Sequence, residues 1–294
     1  LKKKEDHDIQ LSTIKENINL KKINQHVMQR IPEDLNKKKI ILITMKSKKF
    51  GLGNYMRMLA IKREISETST SSIKLINLEK YNLNRLKSIK NSNIVIDVHF
   101  NVLKKLEKII DGVSNKIVLI DQTETNFQNK LLIVPSLYVE PSLRKKVTYG
   151  LNYLIVRRDL FFYFLKQNKS EKNKVLVLNG GSHMPQLSTL NQIKKRFNVG
   201  CDVHIGPYIK KNDKIDSIKK IHHVIRNIDP LKLFFRYDKF ITRLGVTVYE
   251  LLAIKKKPCI ILRNEKSETR LKSIFYLFKK KYINILEKKE HKLT

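Results

Sequence analysis

The chain has 294 residues, with 61 lysines and arginines against 27 aspartates and glutamates, a formal net charge of +34 and 41% hydrophobic residues. That length and apolar content suffice for packed cores in two ordinary domains or one large one, and they exclude disorder throughout. No run of about 18 uncharged apolar residues occurs, since even Leu151–Leu165 is interrupted by Arg157, Arg158 and Asp159, so the sequence offers no membrane-spanning helix.

Residues 1–37 are polar and weakly periodic, with an amphipathic stretch around Ile9–Ile23 and a break at Pro32, and they read as an extension or linker. From Ile40 short apolar runs alternate with amphipathic ones. Ile40–Met45, Ile73–Ile76, Ile94–Ile96 and Ile117–Ile120 are predicted strands, while Tyr55–Thr68, Leu83–Lys90 and Val102–Asp111 carry helical spacing. The alternation weakens over Pro135–Lys172, where Pro135, Pro141 and Gly150 break the chain. It resumes with predicted strands at Lys174–Leu178, Val203–Ile205, Lys239–Thr242 and Cys259–Leu262, and helices at Pro185–Arg196, Pro230–Phe235, Thr247–Ile254 and Ser267–Lys281. Repeated βαβ units predict an α/β fold of two Rossmann-like domains, over 38–150 and 173–294, whose parallel sheets face a central cleft across a linker at 151–172. Ligands of such sheets bind beyond the carboxyl ends of the strands, which directs attention to the residues that follow each strand.

After the first strand stands Phe50-Gly51-Leu52-Gly53-Asn54-Tyr55-Met56-Arg57. Two glycines permit a sharp turn, and the helix that follows offers free N–H groups to a phosphate or a sugar oxygen; a plain strand-to-helix connection is the equal alternative. After Leu178 come Asn179-Gly180-Gly181-Ser182-His183, an anion cradle or an ordinary turn with a solvated histidine. The third stretch, Thr242-Arg243-Leu244-Gly245-Val246-Thr247-Val248-Tyr249-Glu250, ends a strand, turns, and sets Glu250 early in a helix, where its carboxylate can accept from the paired hydroxyls of a ribose. Thr247 and Glu250 also have capping-box spacing, a purely structural alternative. Asp97 and His99 follow the strand at Ile94–Ile96 and, two apart on an extended segment, are expected to point the same way, the carboxylate orienting the imidazole. Asp121 follows the next strand, and capping accounts for it equally well. His222 and His223 read as structural.

In their order these motifs resemble the UDP-sugar hydrolases of pseudaminic-acid synthesis, which release UDP from a UDP-diacetamido-trideoxy-altrose and are themselves similar to the GT-B glycosyltransferase that adds N-acetylglucosamine to the peptidoglycan lipid precursor. That family's GxGHxxR pattern is met by Gly51, Gly53 and Arg57, with Asn54 in place of its histidine. Its middle segment is matched by Gly150, Tyr153, Arg158 and Phe161, its glycine turns by Gly180-Gly181-Ser182 and Ile205-Gly206-Pro207, and its GGxTxYE element by Gly245, Thr247, Tyr249 and Glu250, followed by Pro258. The similarity runs from about Ile40 to Arg270. It implies a GT-B-like fold and UDP-sugar hydrolysis, with Gly51, Gly53, Arg57, Gly180, Gly181, Ser182, Gly245, Thr247, Tyr249 and Glu250 binding substrate and Asn54, Asp97 and His99 as the catalytic candidates. The departures are specific: Asn54 cannot take a proton from water near neutral pH, Leu244 and Val246 replace small residues, and Asn264-Glu265 stands where the family has an Asn-Gln pair. Arg57 or Arg243 would steady the leaving UDP.

Glycosyl transfer from a UDP-sugar is the first alternative function, and a non-catalytic, polyanion-binding protein the second. The lysine runs Lys2–Lys4, Lys37–Lys39, Lys255–Lys257 and Lys279–Lys281 lie in separate segments without interleaved aromatics, which reads as a compositional bias rather than a nucleic-acid footprint. No specific nucleic-acid partner, cofactor or metal is expected; peripheral membrane contact is left open. With Cys201 and Cys259 alone, both in apolar surroundings, and no secretory signal in the sequence, reduced thiols and a cytoplasmic location are expected.

Overall fold

The computed structural model describes residues 39–46, 51–68, 70–80, 82–89, 92–110, 114–128, 130–160, 174–180, 184–209, 213–262 and 267–286. The expected extension over 1–37 and the linker beyond Leu160 lie outside these residues. In the first half β1 (Lys39–Thr44), β2 (Ile73–Asn77), β3 (Ser92–Asp97), β4 (Ser114–Ile120), β5 (Lys130–Val134) and β6 (Thr148–Tyr149) form a parallel sheet in the order β2-β1-β3-β4-β5-β6. In the second, β7 (Val175–Leu178), β8 (Cys201–Ile205), β9 (His223–Arg226), β10 (Lys239–Thr242), β11 (Cys259–Ile261) and β12 (Asn284–Leu286) form another, in the order β12-β11-β10-β7-β8-β9.

Strands such as β1 and β7 read as unbroken apolar runs because both faces of each sheet are covered. Ile41, Ile43, Ile94, Ile96, Ile117 and Leu119 face one core, which takes in Leu103, Leu106 and Ile110 of α2 (Phe100–Ile110). Their neighbours Ile40, Leu42, Val95, Val118 and Ile120 face the other, closed by Met58, Ile61 and Ile65 of α1 (Gly53–Thr68). The second sheet repeats this. Val175 and Val177 pack with Leu190 and Ile193 of α3 (Leu187–Phe197) and Ile215 and Ile218 of α4 (Asp213–Lys219). Leu176 and Leu178 pack instead with Leu231 and Leu233 of α5 (Pro230–Leu233) and Leu251 and Ala253 of α6 (Val246–Ala253). The last helix, α7 (Glu268–Lys279), lays Ile274 and Leu277 on Ile260 and Ile285.

The expected helix over Leu83–Lys90 is a 3₁₀ segment, Leu83–Ser88, started by Asn82, whose side chain accepts from the Asn84 amide at 2.9 Å. The segment after Tyr153 is shared by both halves: Leu154, Val156 and Leu160 enter the second half's core, while Ile155 enters the first half's. Among the described residues no helix is long and apolar enough to cross a membrane.

The order of the first sheet reverses between β1 and β3, and that of the second between β7 and β10. A crevice opens at each reversal, beyond the carboxyl ends of the strands.

Candidate functional site

At the first crevice the chain leaves β1 and turns at Gly51, whose φ of 77° favours a residue without Cβ. The Met56 amide donates to the Leu52 carbonyl at 2.9 Å, so α1 is wound from the glycine turn onward, with Asn54 half-buried in its first turn. One turn further, Arg57 is 8% exposed and reaches back over the strand ends. Its Nε donates to Asp97 Oδ2 at 2.8 Å, and its Nη2 to Asp97 Oδ1 at 2.9 Å and to Asp121 Oδ2 at 3.1 Å. Asp97, the last residue of β3, is wholly buried, whereas Asp121, just past β4 and in a left-handed conformation with φ 61°, leaves half of its side chain exposed. Burial pushes the Asp97 carboxyl up to about 6 against the pull of Arg57. Burial also works against the Arg57 charge, yet Asp97 and Asp121 together hold the guanidinium above its ordinary value.

At the second crevice β10 leads through Arg243-Leu244-Gly245 into α6. Gly245 has an extended backbone with φ 168°, a conformation open to any residue. It occupies the N-cap position with no side-chain cap bond, so Thr247 lies inside the helix and no capping box links it to Glu250. Glu250 is 2% exposed. Its Oε1 accepts from Arg157 Nε at 2.6 Å and its Oε2 from Arg157 Nη2 at 3.2 Å. Arg157 Nη1 in turn donates to both oxygens of Asp229, at 2.9 and 3.0 Å. Asp229 caps α5 by accepting from the Leu231 amide at 3.0 Å. On the other side of the sheet reversal Gly180 has φ 78° with open space where a Cβ would stand; Gly181, Ser182 and His183 lie outside the described residues.

The crevices meet. A Cβ at Gly53 would stand 3.7 Å from Val246 Cγ2, an ordinary contact that brings the starts of α1 and α6 together. Tyr249, 9% exposed, shares a hydrogen bond of 2.9 Å with Ser136 Oγ of the first half, and Asp121 acts on its phenol electrostatically. Burial chiefly, with Asp121 adding to it, raises the Tyr249 pKa. The Tyr138 and Tyr276 rings pack against each other tilted by 40°, 5.3 Å between centroids, and Lys272 Nζ lies 3.2 Å from Glu140 Oε1. Arg63 of α1 pairs with Asp159, so the connecting segment is tied to both halves.

The sequence-derived candidates are thus distributed unevenly. Gly51, Gly53, Asn54, Arg57 and Asp97 gather at one crevice, and Gly245, Thr247, Tyr249 and Glu250 at the other. At the expected Asp97/His99 pair, Asp97 gives both its oxygens to Arg57, while His99 is exposed, its carbonyl accepting the Val102 and Leu103 amides and its Nδ1 facing the Asn101 amide at 3.4 Å. Sequence reasoning overlooked the Arg157–Glu250–Asp229 cluster. The available signal was Asp229 before Pro230, a helix-start pair, and nothing in it pointed to Arg157. Among the described residues no group of three or more His, Cys, Asp or Glu could hold a metal ion.

The chain matches no protein-family model and none of the curated proteins. Among solved structures it is similar to the Methanocaldococcus jannaschii UDP-GlcNAc 2-epimerase in complex with UDP-GlcNAc and UDP, at a TM-score of 0.55 and 12% identity over 84% of this chain and 88% of that one. The Rickettsia bellii UDP-N-acetylglucosamine 2-epimerase aligns at a TM-score of 0.47 and 9% identity, over 77% and 80% of the two chains. MurG of Acinetobacter baumannii aligns at 0.45 and 10%, over 84% and 86%. The fold is α/β and GT-B-like, two Rossmann-like halves with parallel sheets facing a central cleft.

Proposed function

We propose that the chain binds a UDP-sugar across the cleft and transfers the sugar to an acceptor hydroxyl, as GT-B glycosyltransferases do. The observation that carries this reading is the meeting of α1 and α6 at Gly53 and Val246, with Arg57, Asp97 and Asp121 on one side and Glu250 on the other. Glu250 accepts the ribose hydroxyls: two bonds from Arg157 leave lone pairs on each oxygen, and the same bonds fix the carboxylate's plane. A structurally similar epimerase was solved with UDP-GlcNAc and UDP, which supports a uridine nucleotide in this fold.

For the chemical step Asn54 has no proton-accepting group, and Asp97 is buried and doubly engaged. Asp121 keeps half its side chain exposed while Arg57 fixes its orientation, and it takes the proton of the incoming hydroxyl. The acceptor oxygen forms the new bond to the anomeric carbon as the bond to the phosphate oxygen breaks, and UDP leaves with that electron pair. The amides that open α6 face the developing charge. With water as the acceptor the same arrangement gives the hydrolysis that the sequence resemblance implies.

Proton and phosphorus NMR with UDP-GlcNAc and with the UDP-diacetamido-altrose, each alone and with candidate acceptors, tests the proposal. Acceptor-dependent UDP release, lost in Asp121→Asn with binding intact and weakened at the binding step in Glu250→Ala, is the expected result. Release of reducing sugar without acceptor would make the chain a hydrolase. Absence of any saturable shift of the UDP signals would overturn the nucleotide-sugar reading and leave the polyanion-binding alternative.

A further inference from the structure

Glu250 is held by Arg157, and Arg157 in turn by the loop 227–229 that joins β9 to α5. Asn227 turns this loop with φ 59°, in the left-handed region where asparagine is enriched. Asp229 then gives both carboxylate oxygens to Arg157 Nη1 and one of them also to the Leu231 amide, so the helix it starts fixes its place.

The loop has a second anchor beneath it. Along β8, Cys201, Val203 and Ile205 face the core that contains α3 and α4, which leaves His204 on the opposite face, toward α5. His204 is 6% exposed and stands in register with Leu178 and Ile225, two residues of the core on the α5 side. Its Nε2 lies 2.8 Å from the carbonyl of Ile228, the residue before Asp229. A carbonyl only accepts, so Nε2 carries the proton; burial, which lowers the His204 pKa, favours the neutral ring. One chain of contacts therefore runs from His204 to Ile228, from Asp229 to Arg157 and from Arg157 to Glu250. Its last link has a fixed plane. Arg157 meets Glu250 edge-on through Nε and Nη2 while Asp229 takes Nη1, so the guanidinium cannot turn without breaking one of its pairs.

We infer that Asp229 and His204 are positioning residues that set selectivity for a ribose over a deoxyribose nucleotide: through Arg157 they hold the Glu250 carboxylate in the plane that accepts both ribose hydroxyls. The inference rests on the reading of Glu250 as the acceptor of those hydroxyls. A carboxylate aimed at a hydroxyl discriminates against a ligand that lacks it, because the lone pair is then left unmatched. A carboxylate free to tilt loses that discrimination while the rest of the nucleotide site still binds.

Calorimetric titration of the full chain with UDP and with 2′-deoxy-UDP tests the inference. Expected is a preference for UDP of about tenfold or more in the parent, reduced to about threefold or less in Asp229→Ser and in His204→Leu, chiefly through weaker UDP binding. Serine still caps α5 but withdraws the oxygens from Arg157. His204→Gln, whose amide donates as Nε2 does, should retain the parent's preference. The Asp229 side chain is 40% exposed, so Asp229→Ser decides the matter even where His204→Leu does not fold. Weakening of both nucleotides by the same factor, or a preference that survives in Asp229→Ser, would make these contacts merely structural and overturn the inference. Loss of the preference in His204→Gln would overturn the part assigned to His204. A parent that binds the two nucleotides equally would overturn the inference and leave the UDP-sugar reading standing; a parent that binds neither would overturn both.

Discussion

Gly51 and Gly245 both carry a family-like motif, yet the backbone needs only one of them. At φ 77° Gly51 sits in the left-handed region, where a Cβ costs roughly 1–2 kcal/mol. Gly245, at φ 168° with open space at its Cβ position, carries no such requirement. Urea unfolding should show Gly51→Ala less stable by about 1–2 kcal/mol and Gly245→Ala within about 0.5 kcal/mol of the parent. Equal losses would remove the distinction. Asp97 offers a second test at this scale. Its carboxyl is pushed by burial up to about 6, so between the ordinary carboxylate range and pH 6 the folded chain holds a proton that the unfolded chain has released. The contribution therefore favours folding fully at acid pH and is lost as the pH rises through about 6. A carboxyl carbon-13 titration should find the midpoint near 6; one below the ordinary range would mean that Arg57 outweighs burial.

Among the described α-helices, α5 is the shortest, four residues long. Asp229 caps it and binds Arg157, and Arg157 holds Glu250, so one turn of helix is coupled to the carboxylate in the cleft. Arg157→Ala leaves Glu250 buried at 2% exposure without its guanidinium, a loss of about 3 kcal/mol for a broken buried pair. In Arg157→Ala/Glu250→Gln the stranded charge is gone, and the double variant should recover part of that loss in a double-mutant cycle; additive losses would deny the coupling.

This cluster also marks the limit of what the sequence discloses. Long Ile- and Val-rich runs such as β1 and β3 announce themselves, and so do the helices between them. β6 has two residues, β9 mixes His223 and Arg226 into four, and α4 alternates charges, so none carries enough periodicity to be read. The glycine turns are local in sequence and were legible. Arg57 and Asp97 are 40 positions apart, and Arg157 and Glu250 are 93, so their pairing exists only once both sheets are folded.

At the scale of the whole molecule the net charge of +34 acts on every anion that approaches. Under the proposed function it would accelerate encounter with a UDP-sugar without specifying it, because Arg57 and Arg157, the cations of the cleft, are already committed to carboxylates. The screening length falls from about 10 Å at 0.1 M salt to about 3 Å at 1 M. Raising salt should thus lower kcat/KM for the UDP-sugar several-fold, roughly 3- to 10-fold, while kcat stays constant, since steering affects capture and not the chemical step. A chain whose role is to bind polyanions behaves differently. Its affinity for duplex DNA falls linearly in log–log form, with a slope that counts the phosphates contacted, and saturating UDP leaves that binding untouched. Measuring both dependences on one preparation separates the readings. A salt-sensitive kcat/KM with a flat kcat belongs to an enzyme whose basicity only steers its substrate; a steep DNA slope with no UDP-dependent signal belongs to a polyanion binder on a GT-B-like scaffold.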